Sequence, residues 1–105
     1  MGRFSFYTAE DGLYYFKLLS ANGQVLLESR GYRNALQREQ DLQIFLSSNA
    51  GQFVFERRHA ANGKFYFALK SLSGEIIGIS TLYNSEASRD NGIEAVKNYA
   101  MVASV

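Results

Sequence analysis

The chain has 105 residues, of which 47% are hydrophobic and 14% aromatic, and its formal net charge is +1. This composition predicts a single folded domain, 1–105, and excludes a disordered chain, while the small charge offers no general attraction for nucleic acid or acidic membranes. The absence of cysteine excludes disulfides and favours a cytoplasmic location, and no apolar run has the length of a signal peptide or a membrane span.

The sequence matches itself at an offset of 51 residues. When 12–50 is placed on 63–101, nine of the 39 aligned pairs are identical, whereas chance would give roughly two or three. The match predicts two repeats, 3–50 and 52–105, that share one core, because about 50 residues alone bury too little surface. The identical pairs are Gly12/Gly63, Tyr15/Tyr66, Phe16/Phe67, Leu18/Leu69, Ser20/Ser71, Gly23/Gly74, Ser29/Ser80, Tyr32/Tyr83 and Arg38/Arg89.

Each repeat begins with a short strand of alternating aromatic residues, 4–7 in the first repeat and 53–56 in the second. A turn that ends in glycine follows, at Gly12 and at Gly63. The turn that ends at Gly63 in the second repeat is expected to be two residues longer than the one that ends at Gly12, so the alignment needs a gap there. His59 then falls in the longer loop.

The second strand of each repeat alternates most clearly, and a turn at Gly23 or Gly74 connects it to the third strand. A two-residue loop would fix which residues lie opposite each other. Opposite charges in such a pair are worth a few tenths of a kcal/mol. In the first repeat the expected pairs are Leu18 with Leu27, Ser20 with Val25, and Lys17 with Glu28.

A helix follows each hairpin, with Asn34 as the N-cap of the first and Asn84 or Ser85 as the N-cap of the second. Gly92 occurs in the second helix where the first has Asp41, so the two helices should sit differently on the sheet. Apolar residues at helical spacing predict the buried sides. These are Ala35, Leu42, Phe45 and Leu46 in the first helix, and Ala87 (or the stem of Arg89), Ile93, Val96 and Ala100 in the second.

The pattern predicts an α+β domain in which two β-β-β-α repeats form a single antiparallel sheet, with two helices packed on one face and an approximate internal twofold. Residues 101–105 form either a closing strand or a frayed end. Tyr32 and Tyr83 precede the two helix caps, where a side chain commonly folds onto the first turns of the helix. We expect both to be mostly buried, although they could instead frame a ligand site across the twofold.

Three stretches resemble the YegP-like family of small tandem-repeat proteins, which are built from a domain of unknown function. They are 62–67 (NGKFYF), 78–87 (GISTLYNSEA) and 89–97 (RDNGIEAVK). The first repeat departs from the family where its helix carries Gln40, Asp41 and Leu42 in place of Asn-Gly-Ile. The resemblance implies one antiparallel sheet with two helices on one face and strands exchanged between the repeats, and it implies no activity.

Motifs for catalysis or metal binding are missing. His59 is the single histidine, there is no cysteine, and no nucleophile elbow or phosphate loop occurs. The carboxylates at 10–11 and the pair Asp90 and Glu94 occupy a turn and a helix surface, where such groups are normally solvated. The sequence therefore predicts no catalytic, metal or cofactor site and a protein that is not an enzyme.

Arginines provide a candidate site for anion contacts. The candidates are Arg30, Arg33, Arg38 and Arg89, which could hold phosphates beside aromatic rings. The alternative is that Arg38 and Arg89 pack their stems over the sheet and pair with nearby acids.

The sheet face opposite the helices would carry more apolar residues than a solvated surface needs, and a contiguous apolar patch usually marks an interface. Single exposed apolar residues are also common, and the chain ends could cover them. The candidate interface consists of Tyr15, Leu19, Leu26, Tyr66, Ala68, Ile77 and Ile79.

Two functions are consistent with this face. The first is an interaction module that binds another protein or a second copy of itself. The alternative is a binder of single-stranded nucleic acid or nucleotides, with Tyr15 and Tyr66 as stacking residues. An enzyme would require a pocket between the helices, which no motif indicates.

Overall fold

The computed structural model describes residues 3–47, 51 and 53–103. Strands and helices follow one another in the predicted order, with three strands and a helix in each half of the chain. The elements are β1 (Arg3–Thr8), β2 (Tyr14–Leu19), β3 (Val25–Ser29), α1 (Ala35–Ser47), β4 (Phe53–His59), β5 (Phe65–Ser71), β6 (Ile76–Ser80) and α2 (Glu86–Ala103).

The six strands form one antiparallel sheet in the order β1-β2-β3-β6-β5-β4. The predicted α+β class with a single antiparallel sheet is therefore confirmed. The exchange of strands that the family resemblance implied is wrong, because β1–β3 are neighbours and so are β4–β6. Tight turns keep consecutive strands together, and the two groups meet only where β3 pairs with β6.

One cluster of buried apolar side chains fills the space between the sheet and the helices. Leu42 and Phe45 of α1 and Ile93 and Val96 of α2 belong to it, as predicted. Because both helices contribute to one cluster, they cover the same face of the sheet. The sheet contributes Phe16, Leu18, Leu27, Phe67, Leu69 and Ile77.

The first turn has the same length in both halves, so the gap that the alignment required is wrong. The amide of Ala9 donates to the carbonyl of Leu13, and the amide of Ala60 donates to that of Lys64, each across a loop of equal length. The offset of 51 residues thus extends back into β1 and β4. His59 is the last residue of β4 rather than a loop residue.

The second turn of the first half contains three residues rather than two. The amide of Ser20 bonds the carbonyl of Gln24, and Gly23 takes a φ of 85° that glycine adopts without strain. The pairs Leu18–Leu27 and Lys17–Glu28 are confirmed. The third pair is wrong, because a β-bulge after Leu18 places Val25 opposite Leu19 instead of Ser20.

Both helices begin at side chains that accept hydrogen bonds from the first turn. Asn34 accepts one from the amide of Gln37 at 2.9 Å, as expected for an N-cap. In α2 the cap is Ser85, whose hydroxyl oxygen accepts a bond from the amide of Ser88 at 3.1 Å. The choice left open between Asn84 and Ser85 is thereby decided.

Helix α2 decides between alternatives that the sequence left open at each of its ends. Ala87 is exposed and Arg89 is buried, so the arginine stem takes the inward position. The helix continues to Ala103, and a closing strand over 101–103 is therefore wrong. Residues 104–105 and the side chain of Ala100 lie outside the described residues.

Tyr32 and Tyr83 lie at the junctions between the sheet and the helices. Tyr32 is buried, as predicted, whereas Tyr83 is partly buried and packs against the core. Each tyrosine exchanges two backbone hydrogen bonds with the first residue of a strand, Tyr32 with Tyr14 and Tyr83 with Phe65. These bonds fix the position from which each helix starts.

Candidate functional site

The helices leave one face of the sheet uncovered in the described part of the chain, and we call this surface the open face. Its side chains alternate with the core residues, because neighbouring residues of a strand point to opposite faces. The register places the following residues on it: Arg3, Ser5, Tyr7, Tyr15, Lys17, Leu19, Val25, Glu28, Val54, Glu56, Arg58, Tyr66, Ala68, Lys70, Ile76 and Ile79. Five of the seven predicted interface residues are among them.

Two of the predicted interface residues, Leu26 and Ile77, lie on the helix side instead. Ile77 is 3% exposed and belongs to the core cluster, and Leu26 packs against that cluster. Each β-bulge inserts one residue into its strand, which reverses the side to which the preceding residues point. Val25 and Ile76 therefore take the open-face positions.

A signal for these bulges was present in the sequence. The hydroxyl oxygen of Ser20 accepts a hydrogen bond from the amide of Gln24 at 3.1 Å, and that of Ser71 accepts one from Glu75 at 3.2 Å. A serine three residues before the turn glycine in both halves thus favours the three-residue loop.

The apolar part of the open face differs from the prediction. Ala68 is 0% exposed, so its methyl group offers no surface to a partner. Val54 and Ile76, which sequence reasoning missed, are 48% and 38% exposed and flank Lys70 in the register. With Ile79 they form one apolar area on this side of the sheet, and the partly buried Leu19 and Val25 lie opposite each other elsewhere on it.

Ion pairs occupy the rest of the open face. The Lys17 amine lies 3.6 Å from a carboxylate oxygen of Glu28, and the Glu56 carboxylate binds both Arg58 and Lys70. The hydrogen bond from Arg58, followed by that from Lys70, lowers the pKa of Glu56. Exposed pairs of this kind contribute little to stability, but they give the face alternating charges.

Tyr15 packs against Tyr7, a residue that the sequence did not single out. Their ring centroids are 5.2 Å apart and the rings are nearly parallel. Tyr7 donates its hydroxyl proton to Glu28 at 2.8 Å, and Tyr15 donates to Asp11 at 2.7 Å. One face of the Tyr15 ring is therefore covered by another ring, and its hydroxyl group already has a partner.

The two proposed stacking residues are far apart. Tyr15 and Tyr66 lie on β2 and β5, which are separated by β3 and β6, and the register displaces them in opposite directions along the strands. At about 4.8 Å between strands and 3.3 Å per residue, their backbones are roughly 20 Å apart. They do not form one binding platform.

Arg38 and Arg89 pack over aromatic rings of the sheet, as the alternative predicted, but Arg38 donates its hydrogen bond to the backbone carbonyl of Tyr15 at 3.2 Å rather than to an acid. The guanidinium of Arg38 lies over the rings of Phe6 and Tyr14, at 4.9 and 5.6 Å from their centroids. Arg89 is buried and lies 3.4 Å from a carboxylate oxygen of Asp90. These side chains stabilise the helix–sheet contacts, with Arg89 buried and Arg38 partly buried.

Arg30 is also bound to acidic side chains. It donates hydrogen bonds to Glu75 at 3.0 Å and to Asp41 at 3.2 Å, and its guanidinium stacks over the ring of Tyr32. Arg33 is exposed. The four candidate arginines thus do not converge on a common site.

Other kinds of site have little support in the described part of the chain. No three histidine, aspartate or glutamate side chains there are grouped so that they could hold a metal ion. No described helix is long and apolar enough to cross a membrane. The tyrosines that could frame a ligand site have different surroundings. Tyr83 lines a groove of about 490 Å³ with Gln24 and Thr81, whereas the Tyr32 hydroxyl group is bound to Asp41.

Comparison with known proteins supports the family resemblance. Residues 9–42 and 60–105 match the family described as a domain of unknown function, DUF1508. A UPF0339 protein of Acinetobacter baylyi is 39% identical over 97 residues, which cover 92% of this chain and 87% of that protein. The UPF0339 protein YegP of Escherichia coli strain K12 is 34% identical over 96 residues, which cover 91% of this chain and 87% of that protein.

Two solution structures have the same fold. The structure of YegP from E. coli, described as a protein of unknown function, superposes with a TM-score of 0.83 at 32% identity and covers 95% of this chain and 86% of that one. The UPF0339 protein of Shewanella oneidensis gives a TM-score of 0.78 at 30% identity, covering 92% and 82%. The chain therefore belongs to the YegP family of UPF0339 proteins, which carry the domain DUF1508.

Proposed function

We propose that this protein is a non-enzymatic interaction module whose open face binds another protein, in the first instance a second copy of itself. The exposure of Val54 and Ile76 beside Ile79, on a sheet face that no described helix covers, is the observation that carries the proposal. Apolar residues grouped on an uncovered surface are typical of contact sites between proteins.

The charges of the open face favour a protein partner over nucleic acid. Lys17 lies beside Glu28, and Lys70 and Arg58 both contact Glu56. A surface on which positive and negative groups alternate can complement a second copy of itself. It does not provide the continuous positive groove that a phosphate backbone requires.

Light scattering over a range of concentrations tests self-association. We expect the mass of the wild type to rise with concentration and that of the double variant Ile76→Lys/Ile79→Lys to remain that of a monomer, because lysine cannot be buried in the contact. Leu36→Lys on α1, also at an exposed apolar residue, is the matched control and should associate like the wild type. A wild type that stays monomeric at about 1 mM, and that captures no partner through this face, would refute the proposal.

Nucleic-acid binding through Tyr15 and Tyr66 remains the alternative proposal, and it has less support because the rings are distant and the nearby arginines are engaged. A labelled oligonucleotide titrated at low and at moderate salt separates the two functions. Binding to phosphates weakens steeply as salt is added. No change in anisotropy at low salt would exclude the alternative.

The family resemblance also leads us to infer that the chain consists of two β-β-β-α units related by an approximate twofold. Matching hydrogen bonds support this: the Ser29 hydroxyl oxygen accepts a bond from the amide of Phe16 at 2.8 Å, and Ser80 accepts one from Phe67 at 2.9 Å. An experimental structure in which 3–47 and 54–98 did not superpose would contradict it.

A further inference from the structure

A second apolar surface lies on the helix side of the molecule, away from the open face. Leu36 and Ile44 of α1 are 67% and 47% exposed, and Leu72 in the turn between β5 and β6 is 67% exposed. Leu36 and Ile44 line a shallow, open depression of about 530 Å³, whose lining residues all belong to α1. Ile44 and Leu72 line an adjoining one of about 280 Å³, which shares Asp41 with the first. We call the two together the α1 groove.

The spacing of these apolar residues suits an elongated partner. Leu36 and Ile44 are eight residues apart on one helix, which corresponds to about 12 Å along its axis. An amphipathic helix that docks in a groove presents apolar side chains at positions i, i+4 and i+7 or i+8, over the same distance. Leu72 provides a third contact on the opposite wall of the groove.

The other half of the chain shows that the fold does not need large apolar side chains here. The residues 51 positions from Leu36, Ile44 and Leu72 are all alanine: Ala87, Ala95 and Ala21. Single exposed leucines are unremarkable on a protein surface. Three exposed apolar residues that line adjoining depressions, two leucines and one isoleucine, each matched by alanine in the other half, indicate a role other than folding.

The rim of the α1 groove is acidic. Glu39 and Asp41 line the groove on α1, and Glu75 lines it on the sheet side. Arg30 binds Asp41 and Glu75 and offsets part of this charge. The remaining negative charge favours a basic partner, because complementary charges assist association and discourage incorrect partners.

We propose that the α1 groove binds a basic amphipathic helical segment of a partner protein. The apolar stripe of that segment contacts Leu36, Ile44 and Leu72, and its lysine or arginine residues lie along Glu39 and Glu75. This surface is separate from the open face, so the molecule can bind a helix here while the open face is occupied.

Fluorescence anisotropy with a synthetic peptide tests the proposal. The probe is a 15-residue helical peptide with leucines at i, i+4 and i+8 and lysines on its other side, and its twin has glutamate at every lysine. We expect the lysine peptide to bind the wild type and the triple variant Leu36→Ala/Ile44→Ala/Leu72→Ala to bind it at least about tenfold more weakly. Since alanine occupies the matching positions of the other half, the triple variant should fold, which circular dichroism will verify.

The controls separate this proposal from self-association. Ile76→Lys/Ile79→Lys alters only the open face and should bind the lysine peptide as the wild type does. The glutamate twin should bind at least about tenfold more weakly than the lysine peptide. Equal binding by the triple variant, equal binding of the twin, or no binding at about 1 mM would overturn the proposal. A loss of self-association in the triple variant would also overturn it, because the occupant would then be a second copy.

Discussion

The ring of Tyr83 lies so close to Gly92 that a Cβ atom at residue 92 would clash with the tyrosine hydroxyl oxygen. That oxygen is buried and has no hydrogen-bond partner among the described residues. At the matching position of the first half, Tyr32 donates its hydroxyl proton to Asp41 at 2.8 Å. The two tyrosines therefore stabilise their helices differently, one by ring packing alone and the other also by a bond to a carboxylate.

Removing the two hydroxyl groups should affect the free energy of unfolding differently. In Tyr83→Phe the free energy of unfolding should stay unchanged or rise by up to about 1–3 kcal/mol, because a buried, unsatisfied polar group is lost. In Tyr32→Phe it should fall by about 1.5–3 kcal/mol, the usual contribution of a hydrogen bond to a charged group. Urea denaturation measures both, and a greater loss for Tyr83→Phe would contradict the assignment.

A methyl group at residue 92 should destabilise the protein. Glycine to alanine in a helix normally stabilises by about 1 kcal/mol, but Gly92→Ala forces the Tyr83 ring to move, and overpacking of this kind costs about 1–3 kcal/mol. In a Tyr83→Leu background the added methyl no longer meets the hydroxyl group, and the same change should stabilise. If Gly92→Ala stabilised the otherwise wild-type protein, the Tyr83 ring would move without cost and the prediction would be wrong.

The alternation of apolar residues was enough to predict the six strands, because a period of two identifies a strand wherever one face is buried. It did not predict which residues of β3 and β6 face the core. Because one residue is inserted at each bulge, Val25 rather than Leu26 lies on the open face, and so does Ile76 rather than Ile77. The length of each loop sets this register. That length depends on hydrogen bonds of Ser20 and Ser71, which the alternation of apolar residues does not reveal.

Side-chain pairs within a hairpin were also predictable up to the β-bulge, whereas pairs between distant elements were not. Lys17 and Glu28 follow from the register of one turn. The contacts of Arg30, the residue that follows β3, with Asp41 and Glu75 join the end of that strand to α1 and to the turn before β6. They depend on the pairing of β3 with β6, for which the sequence carries no local signal.

The packing of Arg89 predicts a cost when its side chain is truncated. The guanidinium lies 5.6 Å from the centroid of the Phe65 ring and donates a hydrogen bond to the backbone carbonyl of Arg58 at 3.4 Å. Arg89→Ala should lower the free energy of unfolding by about 1–3 kcal/mol, through lost packing and an unpaired carbonyl. The exposed Arg33 is the control, and Arg33→Ala should change the free energy of unfolding by less than about 0.5 kcal/mol. Thermal and urea unfolding measure both variants. If Arg89→Ala and Arg33→Ala lowered the free energy of unfolding equally, Arg89 would have no special structural role.

Alkaline pH should weaken the fold through Tyr7. Burial, followed by the hydrogen bond to Glu28, raises the pKa of Tyr7 from 10.0 to about 12. The folded state therefore holds this proton more tightly than the unfolded state, so the contribution is complete below about pH 10 and is lost as the pH rises towards 12. The difference in free energy of unfolding between the wild type and Tyr7→Phe should accordingly shrink over that interval. Tyrosinate absorbance provides the direct measurement, in which the variant should lack one group titrating at about pH 12. An unchanged difference across this range would mean that Tyr7 titrates as an ordinary surface tyrosine.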